Sequence, residues 1–297
     1  MLARSMPHTV SIVGAGRVGR TLGKRLRESG WRVGAVVTRS LSTARAAVRA
    51  IGAGEPHAVL NCESMESDLV LLTLTESALP GVADKLASLG RDECRGKIVL
   101  HTSGVLDRTV LAPLAKQGAS TGSLHPMQTF SGRAMPSLDG VIFGIEGDAK
   151  AQRMAHRIAR ELGGVPVRID GARKPAYHAA AALVSGHALG LVDAATAVLM
   201  HLGFTRRRAV QALLHLMRQM LDNDERLGPH AAWTGPLSRG DYDAVAKHMA
   251  ALREYPREFS ESYAALALLS GRVLSKDPSA TLKQLESVLN TSTGGQK

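Results

Sequence analysis

Lys174 and His178 stand four residues apart at the start of an apolar, alanine-rich run, which places them on one face of a helix. A lysine held in a cleft loses hydration, its pKa falls, and it can hand a proton to an atom that is receiving hydride. An imidazole beside it can orient the reacting molecule or relay the proton. His125 is a third candidate, because Pro126 holds its backbone extended at a strand end. The competing readings are a surface lysine at a helix start and histidines that serve only the packing.

Chemistry of this kind needs a hydride source, and the N-terminal region offers a place for one. Gly14-Ala15-Gly16-Arg17-Val18-Gly19 follows the apolar run 10–13 and opens a helical stretch over 17–29. In such a G-x-G-x-x-G loop the first glycine allows a tight turn, the second lets backbone approach a pyrophosphate, and the third lets helix and strand pack closely. A second apolar run at 33–37 completes a βαβ unit of roughly 30 residues, the context in which the motif signifies a bound dinucleotide. At the end of the second strand, where an NAD site carries an acid, the chain reads Thr38-Arg39-Ser40. Arg39 can pair with a 2′-phosphate that both hydroxyls also meet, which selects NADP. An exposed loop arginine is the alternative.

Three strand exits are rich in polar groups: Thr73-Leu74-Thr75-Glu76, His101-Thr102-Ser103-Gly104 and Ser123-Leu124-His125. In a doubly wound sheet the ligand lies outside the carboxyl ends of the strands. Thr73 and Thr75 are therefore expected at the cofactor ribose. Thr102 and Ser103 are expected at the nicotinamide, with His101 toward the substrate. Thr75-Glu76-Ser77 reads equally well as a helix cap. In the second half, Thr234, Gly235 and Arg239 form a polar loop that suits a substrate carboxylate, or else a plain capped connection.

The elements that must position these residues alternate. Strands are expected over 58–60, 68–72, 98–101, 121–124, 141–145 and 165–169, after those at 10–13 and 33–37. Helices are expected over 41–51, 77–89, 106–117 and 149–162. Beyond residue 170 the pattern is helical throughout, at 175–202, 205–222, 242–253, 256–270 and 280–289. The expected fold is thus α/β: a doubly wound Rossmann domain over 1–170, then an all-α domain over 171–297 for substrate and dimerisation. The helix at 175–202 is apolar nearly all round, so burial on every side and a homodimer are expected. Tyr177, His178, Ser185, His187 and Asp193 interrupt it, which favours a buried helix over a membrane span. His187, His201 and His215 show no metal-like grouping, and residues 294–297 are expected to fray.

The chain has 297 residues, a formal charge of +11 and 44% hydrophobic residues, enough for two cores. Its 37 basic residues are dispersed and aromatics make up only 3%, which argues against nucleic acid and for attraction of an anionic cofactor and small substrate. Two cysteines, Cys62 and Cys94, exclude a disulfide framework or cysteine metal site. Their reduced state and residues 1–8, without a signal-peptide core, lead to a cytoplasmic expectation.

Taken in order, GAGRVG, HTSG, SLHPMQTF, KPAYHAAA and TGPLSRGD resemble a family of Rossmann-like candidate NADP oxidoreductases with an uncharacterised C-terminal helical domain. More distantly the chain is similar to pyrroline-5-carboxylate reductases, deazaflavin-dependent NADP reductases and β-hydroxyacid dehydrogenases. The last resemblance implies a catalytic lysine at Lys174, with His178 where those enzymes carry asparagine. Prephenate dehydrogenases have a segment like His125 to Met127. The pyrroline reductases imply a carboxylate-binding turn, loosely echoed by Thr234-Gly235-Pro236. The expectation is an NADP-dependent oxidoreductase moving hydride to or from a small, carboxylated carbonyl or imine compound. Its rival is a protein that binds NADPH as sensor or scaffold without turnover.

Overall fold

The computed structural model describes residues 8–131 and 134–293, so the expectations for residues 1–7 and for the tail at 294–297 lie outside the described residues. The chain divides into two compact units, residues 1–185 and 186–297. The sequence reading set the division near 170, where the last strand ends.

The first unit begins β1 Thr9–Val13, α1 Arg17–Glu28, β2 Arg32–Val37, α2 Leu41–Ile51 and β3 Glu55–His57. It continues with β4 Leu69–Leu72, α3 Leu79–Ala87, α4 Arg91–Cys94, β5 Ile98–His101 and α5 Ala112–Lys116. Then come β6 Ser120–Pro126, β7 Ile142–Gly147, α6 Ala149–Glu161, β8 Val165–Arg168 and α7 Lys174–Ala182. The strands form one eight-stranded sheet in the order β3-β2-β1-β4-β5-β6-β7-β8, which makes the β1/β4 neighbourhood a topological switch point. Every pairing is parallel except β6 with β7.

Strand alternation gives the sheet two apolar faces. Ile12, Leu71, Leu100 and Leu124 pack with Leu22 of α1 and Ile158 of α6. Val13, Val70, Leu72 and Val99 pack with Leu86 of α3 and Leu114 of α5. One expected strand is displaced: β3 is Glu55–His57, with Ala35 to Val37 opposite it, and not 58–60. The edge position explains this. Pro56 is tolerated at an edge, while Leu60 packs against the second core just after a bend at 58–59.

In the second unit α8 Ala188–His201, α9 Arg206–Leu227, α10 Pro229–Ala232, α11 Tyr242–Leu252, α12 Arg257–Leu274 and α13 Pro278–Thr293 follow. Its small core holds Val245, Met249, Ala267, Leu285 and Leu289. The helix expected at 175–202 is continuous in path but contains a π-helical stretch, Leu183–His187, between α7 and α8. The burial expected for it is not met within one chain. Leu183, Val184 and Leu189 are 60%, 80% and 68% exposed, because a single chain puts α9 against α8 and leaves other faces of this apolar helix open. By length and composition the helical run Gly171–His201 reaches what a membrane span requires.

Candidate functional site

The glycine loop is built as its sequence requires. Gly14 has φ +88°, and a Cβ there would stand 2.8 Å from the Thr73 carbonyl oxygen. Gly16 caps α1 without a side chain, is exposed, and has nothing nearer its would-be Cβ than the Gly14 carbonyl oxygen at 4.0 Å. A Cβ on Gly19 would collide with Thr73 Oγ1 and stand 3.1 Å from the Gly14 carbonyl oxygen. Ala15 is buried, Val18 packs on the first core, and Arg17 is exposed with Nη1 donating to the Phe130 carbonyl at 3.4 Å. This leaves an open backbone cradle at a helix N-terminus whose first turn carries no acid, a fit for a dinucleotide pyrophosphate.

At the end of β2 the three polar residues divide their work. Thr38 Oγ1 donates to the Ser40 carbonyl at 2.9 Å, and Ser40 Oγ accepts from Thr43 N–H at 3.3 Å as the N-cap of α2. Arg39 is exposed and pairs with no acid among the described residues. It is the side chain of this turn left for a phosphate.

Thr73 serves the loop itself, with Oγ1 donating to the Gly14 carbonyl at 2.5 Å. Thr75 is exposed and its hydroxyl bonds Ser77 at 3.2 Å, so both expected ribose contacts have structural partners. Thr102 is half-buried, its N–H on the Leu72 carbonyl. Ser103 is a hub. Its hydroxyl donates to Glu76 Oε1 at 2.9 Å and accepts from the N–H groups of Val105 and Leu106. Its own N–H donates to His101 Nδ1 at 3.2 Å.

His101 lies opposite Ser123, and Ser123 opposite Glu146, so three adjacent strands present these side chains to one face. Lys174 lands on the middle one. Its Nζ donates to Ser123 Oγ at 2.7 Å and to the Ser103 carbonyl at 2.9 Å, and the residue is 2% exposed. Burial pushes its pKa down to about 8 against the pull of Glu146 and Asp107. Glu146 is pushed up by burial while accepting the Arg108 N–H at 2.9 Å. His101, expected to face the substrate, is instead fully buried. Its Nδ1 accepts from Ser103, so its Nε2 carries the hydrogen donated to the Asp107 carbonyl at 3.2 Å. Burial, then Lys174, lowers its pKa to about 3, which keeps it neutral.

His125 is half-buried two residues further along β6, on the same face as Ser123. Its Nδ1 shares a 3.0 Å hydrogen bond with the Tyr177 hydroxyl, and its ring meets those of Tyr177 and His178 edge-on at 5.4 and 5.6 Å. Burial, then Lys174 and His178, lowers its pKa to about 4. Two glycines make room. A Cβ on Gly104 would collide with His178 and stand 2.8 Å from His125 Nε2, and one on Gly144 would stand 2.7 Å from the Tyr177 oxygen.

Lys174, His125 and His178 are thus brought together, with Ser103 beneath them. Tyr177, Glu146 and Asp107 belong to the same cluster and were missed, and Glu76, read as part of a polar strand exit or a cap, joins them. The spacing of Lys174 and Tyr177, one helical turn, was the available signal for the tyrosine. In the second unit, Thr234 and Arg239 are exposed and Gly235 has φ +109°. The loop supports itself there: Ser238 Oγ donates to the Gly235 carbonyl and Asp241 caps α11. His187, His201 and His215 are exposed.

A Rossmann-like domain matches residues 3–126 and a domain of unknown function, DUF2520, matches residues 141–269, so the chain carries these two domains in order. A candidate NADP oxidoreductase from Bacteroides fragilis is similar at 21% identity, TM-score 0.71, over 88% of this chain and 96% of that one. A reductive aminase from Aspergillus terreus, solved with NADPH and ethyl-5-oxohexanoate, is similar at 18% identity, TM-score 0.63, over 94% and 99%. A pyrroline-5-carboxylate reductase from Coxiella burnetii is similar at 14% identity, TM-score 0.56, over 98% and 100%. These likenesses establish the shared fold. No curated protein matches.

Proposed function

We propose that this chain is an NADP-dependent reductase that moves hydride between the cofactor and a small carbonyl or imine compound. The observation that carries the reading is the joint placement, at carboxyl ends of one sheet, of an open glycine cradle after β1 and a desolvated Lys174–His125–His178 cluster beside β5 and β6. The Gly14, Gly16 and Gly19 loop would hold the pyrophosphate and Arg39 the 2′-phosphate. When bound, the nicotinamide supplies or accepts the hydride. The similar structures, a candidate NADP oxidoreductase, a reductive aminase in complex with NADPH and a pyrroline-5-carboxylate reductase, support the same class.

The cluster's own work is to hold a proton near the reacting atom in a place poor in water. Lys174 contributes a buried positive charge that fixes the Ser103 carbonyl and the Ser123 hydroxyl, and it helps keep His101 and His125 neutral. We assign it electrostatic support of the proton transfer, since its charged form is the one that braces the Ser103 carbonyl and the Ser123 hydroxyl. The open faces of the apolar helix support a homodimer, in which a second copy covers Val184 and Leu189.

Loss of NADPH absorbance, followed across a panel of keto acids and imino acids, tests the assignment. Substrate-dependent oxidation is expected. Tight NADPH binding without oxidation of any panel member would favour a cofactor sensor instead.

A further inference from the structure

We infer that the Tyr177 hydroxyl, bonded to His125, is the group that passes the proton to the reduced oxygen or nitrogen. This rests on the reductase reading above. Of the polar groups clustered here, Lys174 is sequestered: it is 2% exposed and two of its hydrogens are committed to Ser103 and Ser123. His101 is fully buried, with both ring nitrogens bonded. The Ser103 hydroxyl is spent on Glu76 and two backbone N–H groups. Tyr177 is half-buried and carries its hydroxyl to the carboxyl end of β6, over the rung where His125 faces Gly144.

The surroundings are shaped for that oxygen. Gly144 lacks the Cβ that would stand 2.7 Å from it, and Gly104 lacks the one that would press on His125 and His178. A phenol gives up a proton readily only if the charge left on its oxygen is met by a donor, and His125 Nδ1 is 3.0 Å away. In the reductive direction, hydride from NADPH forms the new C–H bond and the Tyr177 O–H proton goes to the substrate oxygen or nitrogen. The Nδ1 hydrogen of neutral His125 moves to the tyrosyl oxygen, Nε2, which has no partner among the described residues, takes a proton from water, and tautomer exchange through solvent restores the Nδ1–H form. One hydride and one proton enter the substrate, and the pair returns to its starting charge. Oxidation runs the same path backwards. Tyr177 is thus the catalytic residue, His125 the relay and Lys174 a positioning residue.

The test uses the full-length protein, NADPH, and pyruvate, cyclohexanone and pyrroline carboxylate as probes. Tyr177→Phe keeps the ring and its packing, and is expected to lower kcat by about 100-fold while KM for NADPH stays within about twofold. Gly144→Ala, which displaces the oxygen without altering the tyrosine, should lose kcat similarly. A readout independent of turnover is the nitrogen NMR spectrum of the His125 ring. Two distinct nitrogens, one protonated, are expected in the native chain, and averaging between tautomers in Tyr177→Phe. Full turnover by Tyr177→Phe alongside an active native enzyme overturns the role of Tyr177 alone, as does a His125 spectrum that the substitution leaves unchanged. Failure of the native chain to oxidise NADPH with any probe overturns the reductase reading, and this role with it.

Discussion

Lys174 Nζ donates to the carbonyl of Ser103 at 2.9 Å, and the N–H of the same serine donates to His101 at 3.2 Å, so one residue couples a buried cation to a buried neutral imidazole. Removing the cation should therefore disturb the β5 exit as a whole. Lys174→Met is expected to lower turnover by roughly 10² to 10³-fold, the usual range for a lost preorganised electrostatic contact, with NADPH affinity nearly unchanged. Steady-state kinetics with a titration of cofactor binding checks both halves. Retention of most of the turnover would remove Lys174 from the mechanism.

The same lysine makes an alkaline prediction. Its folded pKa of about 8 lies below the ordinary 10.5, so between these values the native chain has released a proton that the unfolded chain still binds. Its contribution to stability thus rises with pH across that window, by at most about 1.4 kcal/mol per pH unit. Urea denaturation from pH 8 to 10.5 should show native stability gaining on Lys174→Met. Parallel curves would contradict the assigned burial.

On the acid side the histidines act together. His101, packed against Lys174, Asp107 and His125, falls to about 3. His125, facing Lys174, His178 and Glu76, falls to about 4. Below about pH 6.5 the unfolded chain takes up protons that the folded chain refuses, so stability is lost as pH falls, by up to about 1.4 kcal/mol per unit for each ring. His101→Gln should flatten the pH dependence of the urea midpoint between 6 and 4. An unchanged slope would place the ring in water.

Cofactor choice turns on Arg39, because Ser40 is engaged in capping α2 and Thr38 in bracing the turn. Calorimetric titration is expected to give at least tenfold tighter binding of NADPH than NADH, a difference of about 1.4 kcal/mol. Arg39→Ala should abolish most of it. Equal affinities in the native chain would sink the phosphate-site assignment.

Much of the first unit was legible because its signals are local. The glycine loop, the apolar runs of β1, β2 and β4 to β8, and the amphipathic α1, α2 and α6 are each fixed by neighbours in sequence. The site was only partly legible. Tyr177 reads as one more residue of an alanine-rich helix until the fold brings His125, 52 positions earlier, to its hydroxyl. Glu146 falls just past the strand expected at 141–145, and only the antiparallel β6/β7 register sets it against Ser123. His101 was placed at the right strand end but on the wrong side of the surface, since strand-exit position does not tell which way a ring turns.

The helix at 174–201 poses the opposite problem. Its apolar sequence demands cover that one chain does not give to Val184, Leu189 and Met200, which are 80%, 68% and 43% exposed. Sedimentation should give about twice the 31.4 kDa chain mass. Val184→Glu with Leu189→Glu should shift it toward the single-chain value, since burying two unpaired carboxylates is costly. A native monomer at micromolar concentration would exclude the dimer.

Hydride transfer from NADPH to a small carbonyl or imine carbon leaves an isotopic trace that can be read on the product itself. The chain would be incubated with NADPH deuterated at the transferable position and the panel of keto acids and imino acids, and the products examined by mass spectrometry. One deuterium is expected on the reduced carbon of at least one product, with far less in Tyr177→Phe. NADPH that binds tightly yet leaves every panel member unlabelled would contradict it.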